Sequence, residues 1–102
     1  MEKLKLFISQ PMRDRTDEEI LAERKRIIEK VKEKYPDKEI EVLDTFFQGA
    51  PHDAKPLWYL AKSLEYLSTA DIAAFGIGWR AYRGCTIEHD CCEQYGIEHF
   101  NV

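Results

Sequence analysis

The stretch from Gly78 to His89, GWRAYRGCTIEH, gathers the residues of this chain best suited to chemistry. Arg80 and Arg83 precede Gly84, and a segment that reads as a helix follows, with Glu88 close to its start. A carboxylate there has two readings. It can act as a nucleophile, or it can simply be favoured by the positive end of the helix dipole, an effect of roughly 0.3–1 kcal/mol. On position alone, the dipole lowers the pKa of Glu88 and keeps it ionised. Arginines beside a helix N-terminus suit a phosphate or another small anion, because guanidinium groups and free backbone N–H groups both donate to oxyanions. Trp79 and Tyr82 offer flat apolar faces with a polar edge, which suits stacking on a base or ribose. Trp79 can equally cover the core or a subunit interface.

Cys85, His89 and Cys92 fall on one face of the same helix, at a spacing able to present metal ligands. No CxxC pair or fourth ligand accompanies them, and free cysteine commonly behaves as a small buried residue. The buried reading is therefore preferred, and no metal or redox cofactor is expected. Cys85, Cys91 and Cys92 form no even disulfide set, which fits a reducing compartment.

The elements that must position these residues alternate in type. KLKLFIS, residues 3–9, is apolar enough for a strand buried on both faces, and it ends at Ser9-Gln10-Pro11. Thr16 and Glu19 form a capping box, followed by Ile20, Arg24, Ile27, Ile28, Val31 and Tyr35 at helical spacing, so a helix is predicted over 17–35, stopped by Pro36. Ile40 and Val42 alternate with Glu39 and Glu41, the pattern of a strand toward the edge of a sheet. Residues 48–56 read as a loop, with Pro56 at the first position of a second helix whose buried stripe is Leu57, Leu60, Ala61, Leu64 and Leu67. DIAAFGIG, residues 71–78, is a third and central strand. Residues 85–95 make a third helix closed by Gly96, and IEHFNV is a fourth strand.

The order βαβαβαβ predicts right-handed crossovers onto a parallel four-stranded sheet, in the order 2-1-3-4, with helices on both faces: a small flavodoxin-like or Rossmann-like α/β fold. Ligands of such sheets sit beyond the carboxyl ends of the strands at the switch point, here between strands one and three. Two segments should therefore wall one crevice. The first, SQPMRDR, brings Ser9, Gln10, Pro11, Met12 and Arg13; the second brings Gly78, Trp79, Arg80, Tyr82, Arg83, Gly84 and Glu88. Arg15, between Asp14 and Asp17, is expected to stay solvated.

Bulk properties narrow the class further. At 102 residues with 44% apolar content, one core and a single domain over 1–102 are expected. Charged residues make up 33% of the chain but the net charge is only -4, so the balance points to neither duplex nucleic acid nor an anionic membrane as partner. No apolar run approaches the roughly 20 residues of a membrane span, and MEKLKLFISQ lacks the features of a signal peptide, so a cytoplasmic protein is expected.

Taken together, KLFISQPM, ADIAAF and GWRAYRGCTIEHDCCEQYGI resemble the nucleoside 2-deoxyribosyltransferase superfamily, in particular its small members common in bacteria and phages. The resemblance covers nearly all of the chain. It implies that Glu88 matches the glutamate that attacks C1′ of a deoxyribose, giving a covalent glycosyl-enzyme. Nucleotide N-glycosidases of the same superfamily bind a 5′-phosphate near the first loop and this helix start, and the similar placement of arginines here implies a nucleotide rather than a nucleoside. The chain also departs from the pattern. Ser63 stands where many relatives have an aspartate, Tyr82 where they have an aspartate or serine, and Phe7 and Gln10 replace a tyrosine and a glycine. Ser63 can still position a sugar hydroxyl or water. Asp44, His52 and Asp53 are the candidates to replace the missing acid, against the alternatives of a strand-end turn and a solvated loop, and Asp71 is expected to cap a helix-to-strand turn. The resemblance further implies a homo-oligomer completed across the second helix. The expected function is a nucleoside or nucleotide N-glycosidase or 2-deoxyribosyltransferase; the alternatives are a catalytically inactive nucleotide-binding or signal-sensing module of the same fold, or a structural protein with a vestigial crevice.

Overall fold

A computed structural model of the protein describes residues 2–46 and 50–102. The elements run β1 (Glu2–Ser9), α1 (Asp17–Lys34), β2 (Lys38–Val42), α2 (Pro56–Leu67), β3 (Ile72–Phe75), a short 3-10 turn (Trp79–Ala81), α3 (Arg83–Tyr95) and β4 (Glu98–Asn101). The strands form one sheet in the order β2-β1-β3-β4, and every neighbouring pair is parallel. Fold class and strand order are those that the alternation of elements predicts, with β2 at an edge.

Strand periodicity divides the core between the two faces of the sheet. Leu6, Ile8, Ile72 and Ala74 pack on one face against Ile27 and Val31 of α1. Phe7, Ala73 and Phe75 face the other way, against Leu67 of α2 and Cys85 and Cys92 of α3. Ser9, two residues beyond Phe7, therefore shares the face that looks toward α3.

The predicted capping box opens α1: Glu19 N–H donates to Thr16 Oγ1 at 3.1 Å, and Thr16 N–H donates to Glu19 Oε1 at 3.0 Å. Asp17, Glu18 and Glu19 in the first turn, with Lys32 and Lys34 in the last, complement the helix dipole. The buried face of α1 includes a charged residue, Arg24. Its Nη2 donates to the Leu43 carbonyl at 2.6 Å and its Nη1 to Thr45 Oγ1 at 3.3 Å, while Thr45 Oγ1 donates to the Ile8 carbonyl at 3.3 Å. Asp44 provides the nearby negative charge that opposes the cost of burying this guanidinium. The segments that follow β1 and β2 are thus tied to one helix.

Several boundaries differ from the pattern-based expectation. β3 spans four residues rather than the whole of 71–78, because both ends of that stretch have other work. Asp71 accepts the Lys5 N–H at 2.8 Å and so pins the head of the strand, while Gly78, with φ of 82°, turns the chain into the 3-10 segment. α3 starts at Arg83, two residues earlier than predicted, and Gly96, with φ of 69°, ends it as expected. On α2, Leu67 is buried and Leu60 and Leu64 are half-buried, but Leu57 and Ala61 are exposed. The first half of this helix borders an open cleft instead of the sheet. Of the loop predicted over 48–56, Gln48 and Gly49 lie outside the described residues. Among those described, no helix is long and apolar enough to cross a membrane.

Candidate functional site

A cleft of about 1140 Å³ opens past the carboxyl ends of β1 and β3. Its walls are Ser9 to Arg13 after β1, Thr45 and Phe46 after β2, one side of α2, and Ala81 to Cys85 leading into α3, with Glu88 facing it from the next turn. This is the switch-point crevice that the strand order calls for.

Glu88 lies in the buried stripe of α3 formed by Cys85, Glu88 and Cys92, so the helix aims its carboxylate at the sheet rather than at water. It is 7% exposed. Ser9 Oγ donates to Glu88 Oε1 at 2.6 Å, a short charge-assisted bond. Ser63, from the facing side of α2, also lines the cleft and, like Ser9, favours the ionised form of this carboxyl group. Burial outweighs both serines and pushes the Glu88 pKa up to about 7. This reverses the expectation drawn from helix position. With α3 beginning at Arg83, Glu88 is in the second turn, beyond the reach of the dipole, and the loss of hydration dominates.

Cys85 is the other nucleophile type in the cleft. Burial pushes its thiol up to about 11, against a smaller opposing effect of Ser9. It is a neutral thiol at neutral pH and a poor nucleophile.

The N-terminus of α3 contributes backbone donors. The first intrahelical bond is Thr86 N–H to the Tyr82 carbonyl at 3.0 Å, so the N–H groups of Arg83, Gly84 and Cys85 precede it, and Tyr82 supplies no side-chain cap. A side chain built on Gly84 would meet nothing within 4 Å, so a ligand can approach this backbone closely. Arg13 and Arg83 line the same region. The guanidinium groups of Arg13 and Arg15 lie 6.0 and 5.9 Å from the centre of the Tyr82 ring, which brings the loop after β1 up to the start of α3. Gln10 donates through Nε2 to the Ile20 carbonyl at 3.0 Å, and its buried Oε1 has no hydrogen-bond partner among the described residues.

Of the residues singled out in the sequence, Ser9, Gln10, Pro11, Met12, Arg13, Ser63, Tyr82, Arg83, Gly84 and Glu88 line this cleft. Gly78, Trp79 and Arg80 do not. Trp79 turns the other way: its ring stacks on His89 at 4.2 Å, its Nε1 donates to Asn101 Oδ1 at 3.0 Å, and Arg80 lies over it at 4.7 Å. With only 7% of its surface exposed, Trp79 is a core residue and is closed to a stacking base. Asp44 accepts from the Phe46 N–H at 3.3 Å in a strand-end turn, and neither Asp44, His52 nor Asp53 lines the cleft. Among the described lining residues Glu88 is the one carboxylate.

The structure adds Thr45, Lys55, Leu57, Tyr59 and Leu60 to the cleft. Thr45 had a usable signal, since it follows the carboxyl end of a parallel strand. For Leu57 and Leu60 the helical stripe pointed to the core, and only the packing of α2 shows that part of the stripe faces open space. Compared with models of known protein families, with curated proteins and with solved structures, the chain has no significant match.

Proposed function

We propose that the cleft binds a nucleoside or nucleotide and that Glu88 breaks or transfers its N-glycosidic bond through a covalent glycosyl intermediate. One observation carries this reading: a buried carboxylate with a pKa of about 7, hydrogen-bonded by Ser9, is among the described residues the single Asp or Glu lining a cleft large enough for such a ligand. The resemblance to nucleoside 2-deoxyribosyltransferases, in which a glutamate at this place attacks the sugar, supports the same assignment.

In the proposed reaction an ionised Glu88 oxygen forms a bond to C1′ as the C1′–N bond breaks. The departing base keeps the electron pair and takes a proton from water. In the second step water, or an acceptor base, attacks C1′ and gives its proton to the hydroxide left by the first step, the ester bond to Glu88 breaks, and the carboxylate is restored. Positive charge that develops on the sugar at each transition state is attracted to the ionised Glu88 carboxylate. Arg13, Arg83 and the free N–H groups of α3 suit a 5′-phosphate, while Tyr59, Leu57 and Leu60 offer an apolar wall for a base. The acceptor Oε1 of Gln10 suits a sugar hydroxyl.

A second reading, binding without turnover, is favoured by one feature. No second carboxylate lines the cleft among the described residues, so protonation of the leaving base falls to water. The two readings separate when wild type and Glu88→Ala are incubated with nucleosides and 5′-monophosphates, with free base and intact-protein mass followed. Base release or a sugar adduct that vanishes in the variant supports catalysis. Saturable ligand binding with no release in wild type supports the binding module. Neither binding nor release defeats both. The proposal includes a homo-oligomer, because α2 leaves Leu57, Tyr59 and Tyr66 exposed beside the cleft; light scattering that returns only monomer removes that part.

A further inference from the structure

Along the flank of α3 next to the Cys85–Glu88–Cys92 stripe, three side chains converge that the proposed reaction does not use. His89 and Glu93 are one turn apart on α3, with Nδ1 and Oε1 3.2 Å from each other. His99 reaches them from β4, its ring centre 4.7 Å from that of His89. One ligand atom from each of the three lies within 4.8 Å of the other two.

We propose that His89, Glu93 and His99 form a binding site for a divalent transition-metal ion of the Zn2+ type, separate from the cleft. Two imidazoles and a carboxylate are a donor set suited to such an ion, and three protein ligands leave a position for water. The 3.2 Å between His89 Nδ1 and Glu93 Oε1 is already close to the spacing of about 3.3 Å between neighbouring ligands around a tetrahedral ion with bonds of about 2.0–2.1 Å. His99 has to close by up to about 1.5 Å to meet the same ion.

A second observation is independent of that spacing. His99 Nδ1 lies 2.7 Å from the Ile97 carbonyl, which can only accept, so Nδ1 carries the hydrogen and the lone pair is left on Nε2. An imidazole fixed by a backbone carbonyl in this way is the usual outer support of a metal-binding histidine. His89 is fixed as well, stacked on Trp79 and edge-on to Phe75 at 4.9 Å. Glu93 is largely exposed, which gives the ion a route from solvent. None of the three residues lines the cleft. Bound there, the ion joins α3 to the edge strand β4.

The test uses the whole chain with Zn2+ alone in calorimetry and Co2+ alone in absorption and fluorescence. One ion per chain is expected, with visible Co2+ bands but no intense near-ultraviolet thiolate band, and, in a Trp58→Phe background that leaves Trp79 as the one tryptophan, with quenching of the emission that direct stacking on His89 predicts. His99→Gln should weaken binding by roughly tenfold or more, and Glu93→Gln, at an exposed position that leaves folding intact, should weaken it too. The proposal is overturned if wild type takes up neither ion, if a thiolate band places the metal on Cys85, Cys91 or Cys92, or if both variants bind as wild type does.

Discussion

Replacing Glu88 by glutamine tests the electrostatic core of the site without reference to any substrate. The amide keeps the shape and an oxygen for Ser9 to donate to, but it cannot ionise. In the native protein the Glu88 pKa stands at about 7 against an ordinary 4.5, because burial disfavours the charged form. The native state therefore holds a proton that the unfolded chain gives up earlier. Wild type should lose stability as pH rises from about 4.5 to about 7 and lose no more above that. At about 1.4 kcal/mol for each pH unit between the two pKa values, the full loss is roughly 3 kcal/mol. Other carboxylates titrate in both proteins and cancel in the comparison. Urea unfolding of wild type and Glu88→Gln between about pH 4 and pH 8, followed by the emission of buried Trp79, measures the difference. The variant should gain roughly 3 kcal/mol relative to wild type across that range, whatever their offset at low pH. A difference that stays flat with pH, or that favours wild type as pH rises, refutes the buried and destabilised carboxylate.

Other outcomes follow from the same contacts. Ser9→Ala removes the 2.6 Å donor to Glu88, and with a hydrogen bond to a charged group worth roughly 1.5–3 kcal/mol the carboxyl should titrate higher by about 1 to 2 pH units, read by carbon NMR of the labelled side chain. If Glu88 must be ionised to attack, kcat/KM for base release should rise through an apparent pKa near 7 and level off above it, and a profile flat from acid to alkaline pH argues against the carboxylate nucleophile. Thr16→Ala removes the Oγ1 that accepts from the Glu19 N–H, keeps the backbone N–H that donates to Glu19, and should cost about 1 kcal/mol in thermal or urea unfolding, with the cleft unaffected. Native-state alkylation should mark half-buried Cys91 before Cys85 and Cys92, whose thiols burial pushes up to about 11, as peptide mapping can show.

Local signals in the sequence sufficed for most of the framework. The T-x-x-E box, Pro56 and Gly96 mark helix ends because capping is a matter of a few neighbouring residues, and strand alternation around Phe7 and Ile8 assigns faces without further help. The order of parallel strands then locates the crevice. What failed is what depends on where two elements meet. Trp79 was legible as an aromatic next to the crevice loop, but the direction of its ring is set by His89 and by Asn101, 22 residues further along the chain and beyond any local rule. Leu57 fitted a buried stripe that the cleft interrupts. The three-residue group of His89, Glu93 and His99 joins a helix to a strand, and no spacing within one element announces it.

Glu88 shows how a small local error propagates into the wrong electrostatics. A helix starting at residue 85 puts it in the first turn beside the dipole; a helix starting at Arg83 puts it two residues deeper, in the second turn between Cys85 and Cys92. Those two cysteines were already readable as a buried face, and a glutamate on that face has a raised pKa by the same logic that buries the thiols. A carboxylate there works against the fold whenever it is ionised, and an apolar residue of similar size would relieve the strain on stability. Ser9 donates a hydrogen bond to the carboxylate, and Ser63 from another element also favours its ionised form, which lowers the cost of ionisation without removing it. Groups held charged at a cost to stability, with dedicated partners and an open cleft in front of them, are expected where the charge is used on a ligand. That combination, more than the position of Glu88 in its helix, is why the proposed chemistry rests on this residue.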